Sequence, residues 1–228
     1  ISAAKQLDYL YNYLLFNAII HGKIDLDLDQ QYTSTTTALN ETITYDNLKG
    51  TLDLIGINYY SETRVKAKPI TLGKYVIKGT PDLNSKNEYP RSDMKYRIYP
   101  EGIYIALQFV SKFGLPILIT ENGIADKHDI NRARFIVDHL QQVHLALKDN
   151  IPVIGYLYWS LIDNFEWGLG YGPRFGLFSV DYDTQTRMKT EGAQVFERIL
   201  KNNGIIESDY YKYTDIPYQY IHCSECEF

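Results

Sequence analysis

Three short apolar runs, Leu54 to Tyr60, Pro116 to Glu121 and Val153 to Trp159, alternate with segments of helical period, and no other feature constrains the fold as much. Leu7, Leu10, Leu14 and Ala18 recur at spacings of three and four, with Ser2 as N-cap and Gly22 as the stop, which predicts one helix of about five turns. Residues 23–49 are polar and hold no sustained period. Turn signals at Leu72-Gly73, Lys78 to Pro81 and Tyr89-Pro90 mark a hairpin-bearing insertion over about 61–98. Pro100 then opens a helix with Ile103, Leu107 and Val110 on one face and Gly114 at its end. A longer helix from Asn131 to Lys148 carries Ala133, Ile136, Leu140, Val143 and Leu147 on one stripe. A hairpin through Phe178 to Tyr182 precedes a last helix marked by Ala193, Phe196 and Leu200.

Runs that are apolar on both faces suggest buried parallel strands. The order helix, strand, helix, strand, helix, strand, helix is that of parallel βα units, in either a doubly wound sheet or part of a (β/α)8 barrel. The polar residues decide between them. Asn58, Tyr60, Glu121 and Trp159 all stand at the C-terminal ends of their strands, which is the active rim of a barrel. No Gly-x-Gly-x-x-Gly or phosphate loop follows any strand, so nothing favours a nucleotide fold. The expected class is α/β, the C-terminal part of a (β/α)8 TIM barrel with about three of its strands. Residues 1–205 belong to the barrel and 206–228 form a tail.

Charge narrows the partners. With 28 acidic and 23 basic residues the net charge is −5, which argues against a nucleic-acid surface. The longest amphipathic stretch near the start, Leu7 to Ile20, is interrupted by Asp8, Tyr9, Asn12 and Asn17, so no membrane span is expected. The expectation is a soluble, cytoplasmic protein. Cys223 and Cys226 lack a second ligand pair, and no metal or other cofactor is expected. Asn40-Glu41-Thr42 matches a glycosylation sequon that arises often by chance.

At the rim of such a barrel Glu121, Tyr60 and Asn58 would converge on one mouth, joined by Trp159, Glu166 and Trp167. Carboxylates beside indole faces suit a sugar, whose apolar ring face stacks while its hydroxyls bond to charged partners. Singly, each has a plainer reading: Trp159 and Trp167 as core, Glu121 as the residue before an Asn-Gly turn.

The words around these residues are longer than chance supplies. Ile119-Thr120-Glu121-Asn122-Gly123 resembles the nucleophile motif of glycoside hydrolase family 1. The run Gly155 to Trp167, continuing through Arg174-Phe175-Gly176-Leu177 to Val180-Asp181-Tyr182, is similar to the family's glycone-binding segment. Ile55 to Tyr60 is similar to the strand supporting the nucleophile, and Tyr99 to Ile103 to the entry of the preceding helix. The resemblance covers nearly the whole chain and is closest to archaeal, heat-adapted members acting on β-glucosides and β-galactosides.

It implies a retaining β-glycosidase in which Glu121 is the nucleophile that forms a covalent glycosyl-enzyme. It also implies that Tyr60 donates a hydrogen bond to that carboxylate, Asn58 lines the pocket, Trp159 forms the stacking platform and Phe175 closes the wall. Glu166 would accept from two sugar hydroxyls, with Trp167 donating to a third. Tyr59, Tyr156 and Tyr158 are read as packing.

The sequence departs from the pattern at Lys95-Tyr96, where many members carry Gly-Trp, and this alters the leaving-group wall. Asn150 replaces a usual Gly before the third strand, in a left-handed turn that Asn tolerates. The family's acid/base Glu lies in an Asn-Glu-Pro motif, and no Asn-Glu-Pro occurs in the 228 residues. With Ile1 at the start, the expectation is a fragment, a processed product or the product of an irregular gene, inactive when isolated. Its partners would be a β-glycoside or oligosaccharide, the missing N-terminal part of the barrel and, by analogy with the archaeal members, further copies of itself. The rival reading is a sugar-binding or complementing subunit of a split enzyme.

Overall fold

The computed structural model describes residues 2–25, 42–72, 75–82 and 90–219. Asn40 and Glu41 of the sequon and the pair Cys223/Cys226 lie outside the described residues. The chain divides into two compact units, Ile1–Asp53 with Thr63–Asn87, and Leu54–Glu62 with Glu88–Phe228.

In the first unit, α1 (Ser2–Asp8) and α2 (Leu14–His21) are joined by a π-helical turn at Tyr9–Tyr13. One continuous helix was the expectation, and the wider turn explains the difference in its buried face. A π turn inserts an extra residue and rotates the next stretch of helix about its axis. Leu7 and Ala18 are buried as expected, but Tyr9 is buried too, while Leu10 and Leu14 are only half-buried. Gly22 ends α2 at φ +67°, its N–H bonded to the Asn17 carbonyl. β1 (Lys23–Asp25) pairs antiparallel with β2 (Thr42–Thr44).

The second unit begins with β3 (Ile55–Asn58). The insertion expected between it and the next helix carries two antiparallel pairs in the first unit, β4 (Val65–Lys66) with β7 (Thr80–Pro81), and β5 (Ile70–Leu72) with β6 (Tyr75–Ile77).

The second unit continues with α3 (Glu101–Ser111), β8 (Ile117–Asn122), α4 (Arg132–Lys148) and β9 (Val153–Tyr158). A hairpin of β10 (Phe178–Val180) and β11 (Arg187–Lys189) leads to α5 (Glu191–Asn202) and α6 (Glu207–Thr214). β3, β8 and β9 form one parallel sheet in that order, with Ile55 opposite Ile117 and Ile117 opposite Val153. Right-handed crossovers between neighbouring parallel strands put α3 and α4 on the same face. α4 packs against α3, α5 and α6.

That single helical layer corrects the reading of strands buried on both sides. Ile55, Ile57, Ile117 and Ile119 are buried, whereas Gly56, Asn58, Ile154 and Leu157 are exposed. A parallel strand is apolar and dry on both faces only where a layer covers each. The helix stripes also drift. On α4, Ala133, Ile136 and Val143 are buried, but Ala146 takes the inward place expected of Leu147, which is 49% exposed. On α5, Val195 and Ile199 face the core with Ala193, and Leu200 does not.

Residues 207–219, expected as the front of a tail, hold a helix and pack through several side chains. Asp209 of α6 is buried and takes two 2.8 Å hydrogen bonds from Arg198. Tyr213 packs into the cluster of α4 and α5. Beyond it, Gln219 N–H and C=O both pair with the Asn131 carboxamide, at 2.9 and 3.0 Å. Among the described residues no helix is long and apolar enough to cross a membrane.

Candidate active site

The C-terminal ends of β3 and β8 meet through hydrogen bonds between side chains. The Tyr60 hydroxyl donates to Glu121 Oε2 at 2.7 Å. Main-chain bonding fixes the pair from behind, because Tyr59 N–H donates to the Glu121 carbonyl at 2.9 Å. The ladder here is irregular: its register shifts between Ile57 and Asn58, so that Asn58 comes opposite Glu121. Such irregularities at strand ends re-aim side chains. Burial, followed by the hydrogen bond to Glu121 and the negative charges of Glu121 and Glu166, drives the Tyr60 hydroxyl well above the usual phenol range. Tyr60 is therefore a neutral O–H donor at every working pH. Phe175, buried, meets its ring edge-on at 5.9 Å between centroids.

Asn58 shares the rim but not the bond. Its Oδ1 accepts from the Thr120 hydroxyl at 2.6 Å, and Thr120 also approaches the Ile57 carbonyl at 3.0 Å. A shallow groove beside the pair is lined by Tyr60, Tyr96, Arg97, Ile98, Ile124 and Phe175.

Asn122 and Gly123 do not behave as a surface turn. Asn122 is fully buried; its carboxamide donates to the Tyr59 carbonyl and accepts from the Tyr156 hydroxyl, both at 2.7 Å. Trp159 N–H donates to the Asn122 carbonyl at 3.0 Å. Gly123 is required by close approach, since a Cβ there would lie 1.7 Å from the Trp159 carbonyl oxygen. Tyr156, expected only to pack, thus has a polar task.

The third group hangs on the segment after β9. Trp159 is half-buried, and the peptide bond between it and Ser160 is cis. The chain then turns back, with Ser160 N–H donating to the Phe175 carbonyl and Leu177 N–H to the Ser160 carbonyl. Asp163, 3% exposed, anchors this return by accepting from Gly176 N–H at 2.9 Å, Val180 N–H at 3.0 Å and the Arg174 guanidinium at 3.1 Å. From that base Glu166 lies close enough to Glu121 to feel it: burial first, then the Glu121 charge, raise the Glu166 carboxyl above the usual range. Trp167 is 84% exposed at the head of a 3-10 turn. Tyr60 thus touches both Glu121 and Phe175, and Glu166 is electrostatically coupled to Glu121 and Tyr60; Asn58 and Trp159 stand at the ends of β3 and β9, and Trp167 follows Glu166 in the loop.

Sequence reasoning missed Asn122, Thr120, Asp163 and Asp126. The Asp126 carboxylate accepts from Asn131 and Arg132 N–H at 2.7 and 2.9 Å, capping α4 from the loop after β8. An Asp shortly before an amphipathic run was the available signal for that cap. The two departures at glycine positions obey backbone demand. Asn150 adopts φ +60° and Lys95 φ +62°, a region glycine enters without strain.

Three parallel strands with their helices on one face and their polar residues at the C-terminal rim define part of a (β/α)8 barrel of the α/β class. The model of glycosyl hydrolase family 1 matches residues 1–205, and the chain belongs to that family. It is 39% identical over 196 residues to the β-galactosidase of Saccharolobus solfataricus, covering 84% of this chain and 38% of that one. It is 36% identical over 217 residues to the β-galactosidase of Pyrococcus woesei, covering 90% and 41%. Among solved structures, the β-glycosidase from Pyrococcus horikoshii superposes with a TM-score of 0.78 at 36% identity, over 92% of this chain and 46% of that one. The β-glucosidase from Thermotoga maritima in complex with azafagomine gives 0.75 at 31% identity, over 90% and 48%. The chain spans less than half the length of these relatives.

Proposed function

We propose that the protein carrying this chain is a retaining β-glycosidase of the β-galactosidase/β-glucosidase type, with Glu121 as its nucleophile. The observation that carries the reading is the 2.7 Å hydrogen bond from Tyr60 to Glu121 at the rim of parallel strands. A donor aimed at a carboxylate fixes the direction in which it faces, and a carboxylate held in place is what attacks an anomeric carbon. In the first step a Glu121 oxygen bonds to that carbon as the bond to the leaving oxygen breaks, and a second carboxyl group protonates the leaving oxygen. In the second step water, deprotonated by that same group, displaces Glu121 and restores it. Trp159 supports the apolar face of the sugar, Glu166 and Trp167 bond to its hydroxyls, and Asn58 and Phe175 complete the pocket. The names of the relatives, β-galactosidase and β-glucosidase, support this substrate class.

The second carboxyl group must stand about 5–5.5 Å from the first in a retaining site. Glu166 belongs to the sugar hydroxyls in this scheme, and the 228 residues contain no Asn-Glu-Pro. Residues 1–228 by themselves are therefore expected to be inactive and to work with the barrel strands that supply that group. A 2-fluoro glycoside should label Glu121 in the assembled enzyme, and Glu121→Gln should lower turnover on the order of 10⁴-fold or more. A label mapped to another peptide sinks the assignment. Turnover of a nitrophenyl β-glycoside by residues 1–228 alone overturns the need for a partner.

A further inference from the structure

The ladder between the strand ends is irregular where the chemistry sits, although Tyr59 N–H still reaches the Glu121 carbonyl. Register shifts fall between Ile57 and Asn58 on β3 and between Ile119 and Asn122 on β8. One side chain spans those shifts. Asn122 bonds sideways to both neighbouring strands, through Nδ2 to the Tyr59 carbonyl and through Oδ1 to the Tyr156 hydroxyl, each at 2.7 Å. The Tyr59 carbonyl belongs to the peptide that leads into Tyr60, and Asn122 itself comes directly after Glu121. Its main-chain carbonyl receives Trp159 N–H at 3.0 Å. Asn122 is fully buried, so water does not compete for these bonds.

We propose that Asn122 is a positioning residue for the glycosidase reaction: its carboxamide ties the shifted strand ends to one another and sets the Tyr60 hydroxyl against Glu121. The inference rests on the functional reading above. Asn122 touches no reacting atom and acts through Tyr60. Tyr156 has a share in the same task, since its hydroxyl fixes which way the carboxamide points. An amide is needed because one flank offers an acceptor and the other a donor. Asp at this position keeps the acceptor but offers no N–H to the Tyr59 carbonyl.

The test is a double-mutant cycle in the assembled enzyme containing this chain, with kcat and KM measured on a nitrophenyl β-glycoside for Asn122→Ala, Asn122→Asp, Tyr60→Phe and the two doubles. A misplaced catalytic geometry costs up to about 100-fold, so Asn122→Ala should lower kcat by about 10- to 100-fold with KM little changed. In the Tyr60→Phe background, where no hydroxyl remains to be misplaced, the same change should cost less than about 3-fold, because coupled residues are non-additive. Asn122→Asp should not rescue. Additive costs, or full rescue by Asp, overturn the proposal. Should Asn122→Ala fail to fold, Tyr156→Phe takes its place, with a loss of about 3- to 10-fold that again vanishes beside Tyr60→Phe; additivity there overturns the proposal equally. Labelling separates the two readings. A 2-fluoro label away from Glu121 removes the function and this inference together, whereas a label on Glu121 with an additive cycle removes the inference alone.

Discussion

The end of β8 and the loop between β9 and β10 lie in the same unit and supply the same site, yet they are built in opposite ways. At Glu121-Asn122-Gly123 the neighbours are fixed by hydrogen bonds to Tyr60, Tyr59, Tyr156 and Trp159, and Asn122 and Gly123 are buried. In the loop, Leu161, Phe165 and Tyr171 are all more than half exposed and Trp167 is 84% exposed. The loop's polar anchor is at its base, where Asp163 gathers Arg174, Gly176 and Val180, while nearer the tip Glu166 N–H meets the Gly170 carbonyl at 2.7 Å and the Tyr171 ring lies 4.4 Å from that of Tyr182. The difference matches the tasks proposed above. A charge that must meet one carbon needs a preset environment, since reorganising dipoles during reaction adds to the barrier. Ring faces that stack on a sugar have to be open before the sugar arrives.

Glycines give the sharpest way to break this contrast, and the largest effect. A Cβ at Gly123 would stand 1.7 Å from the Trp159 carbonyl oxygen and 2.8 Å from its carbon, both backbone atoms that no rotamer can move. At Gly168, in the loop, a Cβ meets nothing within 4 Å. Gly123→Ala is expected to cost more than about 3 kcal/mol in urea unfolding, in the range of severe core changes, and Gly168→Ala less than about 1 kcal/mol. Similar costs at the two positions would show that the strand end is no tighter than the loop.

Much of this division is legible in the sequence, and the reason lies in how far each signal reaches along the chain. The strand and helix order came from periodicity, which is local; the starts of α4 and β9 and the glycine stops at Gly22 and Gly114 fell where expected. The strand-end set of Tyr60, Glu121 and Trp159 came from long motifs. What stayed hidden depends on which atoms arrive from elsewhere. Asn122 read as a turn residue because the Tyr59 carbonyl and Tyr156 hydroxyl that engage it come from other strands. The π turn at Tyr9–Tyr13 left no compositional mark and shifted a helical face. Leu147 and Leu200 kept good spacing to their stripes, but neighbouring helices cover Ala146 and Ile199 instead. The capping of α4 by Asp126 needed the loop path after β8.

The packed side should also carry a pH dependence of its own. His139 on α4 is fully buried, stacked on Phe135 at 3.7 Å, with Nδ1 at 2.8 Å from the Phe135 carbonyl and the Tyr59 ring 6.0 Å away. Its Nε2 has no hydrogen-bond partner. Burial pulls its pKa down from 6.5 to about 3, the Phe135 carbonyl opposing only in part. An unfolded chain therefore binds a proton at His139 through a range of pH in which the native one does not, and its stabilising effect is complete above 6.5 and lost as pH falls toward 3. The expected slope is at most about 1.4 kcal/mol per pH unit. His139→Leu should flatten the stability profile between pH 6.5 and 4 in urea titrations, and an unchanged slope removes His139 as its source.

The smallest effect on folding, and the most informative about the loop, is expected at Trp167. An indole that is 84% exposed contributes almost nothing to a core, so Trp167→Ala should leave the unfolding free energy within about 0.5 kcal/mol of the parent. Its cost should appear instead in sugar binding, as KM raised by about 10-fold, the equivalent of about 1.4 kcal/mol, with a smaller change in kcat. That split is expected of the site as proposed: Trp167 bonds to a hydroxyl that does not react, so much of its contribution is the same before and during bond breaking. If kcat falls as far as KM rises, the loop tip takes part in the transition state, and the contrast between a preset strand end and an open binding loop no longer holds. If stability falls by several kcal/mol, Trp167 is packed in solution and the loop is as closed as the end of β8.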